Sequence, residues 1–271
     1  MSSITAFSGN VPQNYETFLG PLFFEPYALD LVGRINDDTQ PLNHVLEIAC
    51  GTGRVTKHLV SKLPPDAKLV ATDLNPDMLK IAESIIHSKN IQWQVADAHE
   101  LPFENEAYDA VVCQYGVMFF HDKPKALREI NRVLKPGGTF SFNTWDELQY
   151  NALSRMAQTV LEEIYPDDPP RFLHKGPYSF HDREEIKTLL TEAGFSSVTI
   201  EVVTKTGTVT RPDDAVNGIL DGTPNYVYIA ERSLPVSVAK MKLKDLLVDH
   251  FGQENLQLPM QALVVKATKN G

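Results

Sequence analysis

The segment at residues 45–54 (VLEIACGTGR) constrains the fold of this chain more than any other. Its apolar start, residues 45–49, predicts a short buried strand, and Gly51 and Gly53 predict a tight turn directly after it. The residues that follow, Arg54–Lys62, carry apolar side chains at helical spacing. A strand, a glycine-rich turn and a helix in this order are typical of the nucleotide-binding half of a doubly wound α/β fold. In that fold the ligand lies at the carboxyl ends of the strands.

Strands and helices continue to alternate after this segment, which predicts a parallel sheet with right-handed crossovers. Asn75 has the character of an N-cap, with Pro76 at the first helical position. The predicted strands lie at residues 68–72, 91–96, 109–113 and 139–143. The predicted helices lie at residues 76–88 and 123–134, and the second is closed by the Pro-Gly-Gly at residues 136–138.

The pattern changes after Trp145. Helices are predicted at residues 150–163, 182–193 and 236–250, strands at 197–204 and 261–268, a loop at 165–177 and an irregular segment at 211–228. These elements are too few for a second α/β domain. We interpret them as the last elements of the same sheet, with insertions over its open end.

Charge and composition restrict the class of partner. The 271 residues include 25 Lys and Arg against 35 Asp and Glu, a formal net charge of −10. This balance argues against nucleic acid as the main partner, because affinity for a phosphate backbone needs basic patches. No apolar run reaches the roughly 18–20 residues of a membrane span, and residues 1–15 lack the features of a signal peptide. Cys50 and Cys113 are too few for a disulfide scaffold, so a reduced, cytoplasmic protein is expected.

The glycine turn by itself leaves two ligand classes open. A dinucleotide-binding turn requires G-x-G-x-x-G, whereas Thr56 stands at the third glycine position. Glu47 lies just ahead of the turn, and a carboxylate there suits a ligand with an amine and a sulfonium better than a pyrophosphate. No Gly-Lys-Ser/Thr follows the turn, so the Walker pattern is absent. A nicotinamide-dependent oxidoreductase is therefore the less favoured alternative.

Five ordered pieces of the chain resemble one enzyme family. They are residues 47–53 (EIACGTG), 71–73 (ATD), 96–98 (ADA), 108–114 (YDAVVCQ) and 127–138 (LREINRVLKPGG). With these pieces in order, residues 44–145 resemble the class I S-adenosylmethionine-dependent methyltransferases. The resemblance is greatest to the methyltransferase-11 type, a broad group that includes the ubiquinone/menaquinone C-methyltransferases. It implies an α/β fold with a Rossmann-like doubly wound sheet of seven strands, mostly parallel with an antiparallel C-terminal strand, plus lid insertions.

The resemblance also implies a domain plan in which residues 1–271 form a single methyltransferase domain. Residues 1–43 would be an N-terminal helical lid, residues 44–145 the cofactor-binding core, and residues 146–271 the last sheet elements with substrate-lid insertions. Tyr15 is a candidate for contact with the cofactor carboxylate, and Phe23 or Tyr27 for the lid. Packing of these aromatic residues against the sheet is an equal alternative.

The resemblance implies S-adenosylmethionine as the cofactor. The cofactor-binding residues it implies are Glu47, Ala49, Gly51, Gly53, Arg54, Asp73, Leu74, Met78, Asp97, Ala98 and Gln114. The glycines let the backbone approach the cofactor, and the backbone carbonyls near Ala49 and Gly51 accept from its ammonium group, as does the carbonyl of Gln114. Asp73 accepts from both ribose hydroxyls, and Asp97 accepts from the adenine amine.

The remaining implied residues have supporting roles. Glu47 would orient the glycine loop, or serve only as a structural hydrogen-bond anchor. Leu74 and Met78 would pack on the sugar or the adenine, and Ala98 would offer its backbone N–H to the base. Arg54 would contact the cofactor carboxylate, with solvent exposure as the alternative.

The predicted reaction is transfer of a methyl group from S-adenosylmethionine to an O, N or C atom of a small-molecule acceptor. Displacement at a sulfonium needs alignment in a dry site and no metal, and the eight histidines are scattered along the chain. A general base is needed only if the nucleophile must lose a proton, so no catalytic residue is assigned among His121, Asp122, Asp146, His174, Tyr178 and His181. One alternative is a non-catalytic cofactor-binding or regulatory module. Another is an enzyme that uses the cofactor for a different reaction.

Acceptor specificity is expected in the inserted parts, residues 146–180 and 205–235. Aromatic side chains in and beside them are candidates for an apolar pocket for a small molecule, or for the core of a lid. They are Trp145, Tyr150, Tyr165, Phe172, Tyr178, Phe180, Tyr226 and Tyr228.

Overall fold

The computed structural model describes residues 11–35, 42–232 and 235–271. Its first helical part comprises α1 (Val11–Asn14), a π-helix (Tyr15–Phe24) and α2 (Glu25–Ile35). The alternating part comprises β1 (His44–Glu47), α3 (Arg54–Lys62), β2 (Lys68–Asp73), α4 (Pro76–Ile85), β3 (Ile91–Val95), β4 (Tyr108–Gln114), α5 (Lys123–Val133) and β5 (Leu134–Trp145). The elements that follow are α6 (Ala152–Ile164), α7 (Phe172–Lys175), α8 (Arg183–Glu192), β6 (Phe195–Val209), α9 (Pro212–Asp221), α10 (Asn225–Ala230), α11 (Val236–Phe251) and β7 (Leu256–Lys269).

The strands form one seven-stranded sheet in the order β3-β2-β1-β4-β5-β7-β6. Strand β1 pairs in parallel with β2 and β4, β2 pairs in parallel with β3, and β4 with β5. The C-terminal strands run antiparallel, which confirms the predicted α/β fold with a doubly wound sheet of seven strands. The direction of winding changes between β1 and β4, and ligands of such sheets bind outside the carboxyl ends of the strands at this point.

The chain divides into two compact units. One comprises Ala28–Thr144, Phe180–Val203 and Leu263–Gly271, and contains β1 to β4 with α3, α4 and α5. The other comprises Met1–Tyr27, Trp145–Ser179 and Thr204–Ala262, and contains the π-helix, α6, α9, α10 and α11. Residues 1–10 and 36–41 of the predicted lid lie outside the described residues. The lid and the single-domain plan stay predictions.

Apolar side chains of α2 and α3 pack against the first strands of the sheet. Leu31 on α2 and Leu59 on α3 belong to one buried cluster with Val45 on β1 and Val112 on β4. Removal of this apolar surface from water stabilises the sheet and fixes the positions of its strand ends.

The start of β1 is held by a carboxylate from the neighbouring strand. Asp109 Oδ2 accepts hydrogen bonds from the backbone N–H groups of Asn43 at 2.9 Å and His44 at 2.7 Å. Its other oxygen, Oδ1, lies 2.6 Å from Lys135 Nζ. These bonds fix the register of β1 against β4 at the amino ends of the strands.

In the unit that contains the π-helix, a glycine allows two helices to pack closely. A Cβ at Gly218 on α9 would lie 2.7 Å from Leu19 Cδ2 and 3.1 Å from Phe18 Cβ. The first of these distances is shorter than real Cβ contacts and the second is unusually tight, so a side chain at this position would force its neighbours to shift. The π-helix therefore packs directly on the backbone of α9.

Tyr15, the candidate for the cofactor carboxylate, and Phe23 and Tyr27, the candidates for the lid, pack against aromatic neighbours in this same unit. Tyr15 stacks on Phe24 with 4.6 Å between ring centroids. Tyr27 is fully buried and meets Trp145 edge to face at 5.5 Å, and Phe23 does so at the same distance. These contacts agree with the packing alternative, while contact of Tyr15 with a cofactor stays a prediction.

The prediction of irregular chain at residues 211–228 is wrong, because this segment forms α9 and α10. Pro212 occupies the first turn of α9 and Asp213 follows it, and both residue types favour a helix start. Gly222 and Pro224 separate α9 from α10. The predicted loop at residues 165–177 likewise contains the short helix α7.

The predicted end of α5 also needs correction. The helix ends at Val133, so the Pro-Gly-Gly at residues 136–138 does not close it. These residues instead lie at the start of β5, where Gly137 has a φ of +77°. The register between β4 and β5 shifts between Tyr108 and Ala110, as expected of a β-bulge.

Candidate functional site

The loop after β1 turns back at the carboxyl edge of the sheet. Gly51 and Gly53 have φ angles of +56° and +84°, which glycine adopts without steric penalty. A Cβ at Gly53 would lie 2.5 Å from Ile86 Cδ1 and 3.2 Å from Ala82 Cβ, so the start of α3 packs closely on the end of α4. A Cβ at Gly51 would meet nothing within 4 Å. The backbone at Gly51 is therefore open to a ligand.

Glu47, the last residue of β1, is buried at 1 % exposure. Its Oε2 accepts a hydrogen bond from the Thr56 hydroxyl at 2.6 Å, and its backbone carbonyl accepts one from the Thr72 hydroxyl at 3.0 Å. Burial raises the pKa of Glu47 to about 8, against the opposing effect of the hydrogen bond from Thr56; the negative charge of Asp73 adds to the rise. Glu47 thus connects the end of β1 to the first turn of α3.

Asp73 ends β2 and connects it to the glycine loop. Its Oδ2 accepts from the backbone N–H of Gly51 at 2.8 Å, and its Oδ1 accepts from the backbone N–H of Asn75 at 2.8 Å. Burial raises the pKa of Asp73, and the backbone hydrogen bonds from Asn75, Gly51 and Leu74 oppose that rise. Each carboxylate oxygen has a further lone pair, so both oxygens retain the capacity to accept a hydroxyl of a ligand.

Asp97 follows β3, and its strand end is joined to that of β2. The backbone N–H of Ala96 donates to the carbonyl of Asp73 at 3.1 Å. Asp97 Oδ1 accepts from the backbone N–H of His99 at 2.9 Å and lies 2.5 Å from Nδ1 of the same residue. Burial acts to raise the pKa of Asp97, but the hydrogen bonds from His99 prevail and lower it.

The loop after β4 approaches the loop after β1. A Cβ at Gly116 would lie 2.6 Å from the Cβ of Ala49 and 2.6 Å from Cys113 Sγ. Ala49 and Tyr115 both have a φ of +52°, which is uncommon outside glycine. Gln114 ends β4 directly before this loop. Unusual backbone angles of this kind cluster at ligand sites.

The other predicted residues differ in their exposure. Met78, on α4, is buried at 7 %, whereas Leu74 is exposed at 41 % and offers apolar surface at the end of β2. Arg54 begins α3, and Ala98 is partly buried beside Asp97. The ends of β1 to β4 are thus joined by direct contacts, while the role of each residue toward a ligand stays a prediction.

Three residues that shape this edge were not predicted from the sequence, namely Thr56, His99 and Gly116. The sequence pattern treats Thr56 only as the absence of a third glycine. Its position in the first turn of the helix, close to a buried acid, is the signal for a hydrogen bond to Glu47. The only sequence signal for Gly116 is its position shortly after a predicted strand. The sequence contains no signal that predicts a role for His99.

Several candidates for a general base have structural partners. Asp122 caps α5 by accepting from the backbone N–H of Lys125. Asp146 Oδ2 accepts from Gln261 Nε2 at 2.8 Å. The Tyr178 hydroxyl is 2.8 Å from Ser154 Oγ, within hydrogen-bond distance. These contacts account for the three side chains without a catalytic role.

In the part of the chain that the structure describes, we find neither a metal-binding cluster nor a helix that could span a membrane. Within residues 11–35, 42–232 and 235–271, no group of three or more His, Cys, Asp or Glu could hold a metal ion. None of the helices in these ranges is long and apolar enough to cross a membrane. Cys50 and Cys113 are buried and free, and burial raises the pKa of Cys113 to about 12.

Known proteins with similar sequences include methyltransferases of quinone biosynthesis. A sequence model of the ubiE/COQ5 methyltransferase family matches residues 29–211. The ubiquinone/menaquinone biosynthesis C-methyltransferase UbiE of Ectopseudomonas mendocina (strain ymp) is 32% identical over 178 residues, covering 61% of this chain and 70% of that protein. The enzyme of the same name from Idiomarina loihiensis is 30% identical over 176 residues, covering 59% and 69%.

A solved structure shares the fold over nearly the whole chain. It is the Haemonchus contortus phosphoethanolamine N-methyltransferase 2 in complex with S-adenosyl-L-methionine. The TM-score is 0.64 and the sequence identity 18%, with 98% of this chain and 58% of that chain covered.

Proposed function

This chain belongs to the ubiE/COQ5 methyltransferase family and is an S-adenosylmethionine-dependent methyltransferase of small molecules, and we propose that it binds the cofactor at the carboxyl ends of β1 to β4. The predicted family, reaction and cofactor are thereby confirmed, and the nicotinamide-dependent and non-catalytic alternatives are set aside. The observation that carries the site proposal is the hydrogen bond from the Gly51 N–H to Asp73 Oδ2, at 2.8 Å. It holds a carboxylate against an open glycine turn.

The residues at this edge fit the charge distribution of the cofactor. Asp73 brings a carboxylate to the glycine loop, and negative charge there favours an ammonium and a sulfonium over a pyrophosphate. The backbone at Gly51 has room for close approach. The Thr56 side chain, which stands where a dinucleotide site has its third glycine, is occupied by its bond to Glu47.

We assign roles along the edge from β3 to β4. Asp97 would accept from the adenine amine, and Asp73 would accept from the two ribose hydroxyls. The backbone carbonyls of Ala49 and Gln114 would accept from the ammonium group. The proposed site comprises Glu47, Ala49, Gly51, Gly53, Arg54, Asp73, Leu74, Met78, Asp97, Ala98 and Gln114.

When bound, S-adenosylmethionine supplies a methyl group attached to a sulfonium, and the sulfur is a good leaving group. The task of the protein is then to orient the acceptor atom in line with that methyl group and to exclude water. The identity of the acceptor atom is part of the proposal. The similar proteins named for C-methylation in quinone biosynthesis make a quinol ring carbon one candidate beside an amine and a phenol.

Location and partners complete the proposal. We place the protein in the cytoplasm, supported by two buried cysteines that are free in the structure. The net charge of −10 supports an activity without nucleic acid. We also propose that residues 1–271 act as a single methyltransferase domain.

Calorimetry with S-adenosylhomocysteine tests the site. Asp73→Ala should weaken binding by about 1.5–3 kcal/mol, roughly ten- to a hundredfold in Kd, the scale of hydrogen bonds to a charged group. The control is Asp77→Ala, which removes an exposed carboxylate in the first turn of α4, paired only with Lys80 among the described residues. Unchanged affinity in Asp73→Ala, or equal losses in the two variants, would contradict the assignment.

A further inference from the structure

His99 holds one side of the Asp97 carboxylate. Asp97 Oδ1 accepts from the His99 backbone N–H at 2.9 Å and lies 2.5 Å from His99 Nδ1. The two side chains differ in environment, since that of His99 is 9% exposed and that of Asp97 is 42% exposed. A buried ring thus fixes one oxygen of a carboxylate that otherwise faces outward.

The hydrogen-bond partners define the tautomer of this ring. The backbone N–H of Asp122 donates to His99 Nε2 at 3.3 Å. A backbone N–H can only donate, so Nε2 accepts and carries no proton. The ring proton therefore lies on Nδ1, where it is donated to Asp97 Oδ1.

Packing fixes the ring in the plane that this bond requires. The His121 ring lies against it with 3.9 Å between centroids and an interplanar angle of 34°. Phe120 meets it edge to face at 5.7 Å. Asp122, which supplies the N–H to Nε2, is also the N-cap of α5. The orientation of Asp97 is thereby set by the loop that begins α5.

We propose that His99 is a positioning residue for Asp97, which it holds with Oδ2 presented to the cofactor base. This inference rests on the proposed contact between Asp97 and the adenine amine. The terminal torsion of a free aspartate is broad, so a carboxylate held before binding meets the amine without loss of that freedom. In a base that carries a carbonyl in place of the amine, the carbonyl oxygen and Asp97 Oδ2 are both acceptors, so no hydrogen bond forms between them. His99 therefore sharpens the choice of adenine over hypoxanthine.

Two cofactor products that differ at this one position test the proposal. S-adenosylhomocysteine carries the amine, and S-inosylhomocysteine carries a carbonyl in its place. Calorimetric Kd values for both are compared in the wild type, His99→Phe and His99→Asn. Phenylalanine retains the packing against His121 but has no donor, whereas the asparagine amide places a donor close to the position of Nδ1.

The expected result is a change in discrimination and not only in affinity. His99→Phe should lose about tenfold of the preference for the adenine form, the scale of one hydrogen bond to a charged group. His99→Asn should retain most of it. In turnover, the KM for S-adenosylmethionine should rise in His99→Phe with kcat nearly unchanged, because the base is remote from the methyl group. The control is His87→Phe, at an exposed histidine after α4.

The possible outcomes separate this inference from the proposed function. A wild type that binds neither compound overturns the cofactor site itself. A wild type that prefers the adenine form, with the same preference in His99→Phe, overturns only the positioning role. If His99→Phe fails to fold, His99→Gln is compared with His99→Asn. The longer amide is expected to reach Asp122 and not Asp97, so equal discrimination in these two variants overturns the proposal.

Discussion

At the scale of single residues, the hydrogen bond between Thr56 and Glu47 replaces the third glycine of a dinucleotide site. The Thr56 hydroxyl is 2.6 Å from Glu47 Oε2, and both side chains are buried. We expect Thr56→Val to lower the free energy of unfolding by about 1–3 kcal/mol, because the buried carboxyl loses its donor. Urea denaturation measures this loss. Thr56→Ser retains the hydroxyl, so an equal loss in both variants would contradict the explanation.

Glu47 should also make the stability of the protein depend on pH. Burial raises its pKa from an ordinary 4.5 to about 8. Because the pKa is higher in the folded than in the unfolded state, the free energy of unfolding falls as the pH rises from about 4.5 to about 8. In Glu47→Gln this contribution is absent, so the variant should gain stability relative to the wild type across that range. Urea unfolding at several pH values compares the two, and parallel curves would refute the assignment.

The sequence identifies site residues where one residue type has a local reason to be present. Gly51 and Gly53 were predicted because a turn between a strand and a helix needs left-handed backbone angles. Asp73 was predicted because it ends a strand within one of the pieces that carry the family resemblance. Gly116 was missed because it meets Ala49 in a loop that is distant in sequence. His99 was missed because the residues that fix its ring, His121 and Asp122, are also distant, and no local pattern records which loops meet.

At the scale of elements, predictions succeeded where capping and helical periodicity agreed. Helix α3 spans the predicted Arg54–Lys62, and the Asn75 side chain caps α4 by accepting from the backbone N–H of Asp77. The strands β6 and β7 are longer than predicted. In β7 the buried residues Leu256, Leu258 and Met260 alternate with exposed ones, a period of two that indicates a strand. Pro259 lies within that run, and because proline argues against a strand, it obscures this alternation in the sequence.

The close packing of the π-helix on α9 leads to a prediction for Gly218. Gly218→Ala would bring a Cβ within 2.7 Å of Leu19 Cδ2. We expect this variant to lose about 1–3 kcal/mol from overpacking, despite the higher helix propensity of alanine. Thermal unfolding measures the change. The control is Gly33→Ala on α2, where a Cβ meets nothing within 4 Å and a gain of about 0.5–1 kcal/mol is expected. A stabilised Gly218→Ala would contradict close packing.

At the scale of the whole molecule, the alternation of strands and helices was enough to predict the sheet, and with it the edge that we propose for the ligand. The grouping into two compact units could not be predicted. One unit gathers three separate stretches, residues 1–27, 145–179 and 204–262. Such a grouping depends on contacts between distant parts of the chain, which neither periodicity nor composition records.

The net charge supports a prediction for the molecule as a whole. With a formal charge of −10, the protein should not raise the fluorescence anisotropy of a labelled DNA duplex or of transfer RNA at physiological salt. The same measurement at low salt extends the test. Binding that weakens steeply with added salt would reveal a basic surface that the net charge conceals, and would overturn the prediction.

The left-handed backbone at Ala49 and Tyr115 has a thermodynamic consequence for ligand binding. Both residues have a φ of +52°, a conformation that costs an L-residue roughly 1–2 kcal/mol. This cost is met when the chain folds, so we expect the two loops to have their final shape before the cofactor binds at the proposed site. The conformational entropy lost on binding then falls mainly on the cofactor and not on the protein. Calorimetry should accordingly find little loop-ordering entropy in cofactor binding.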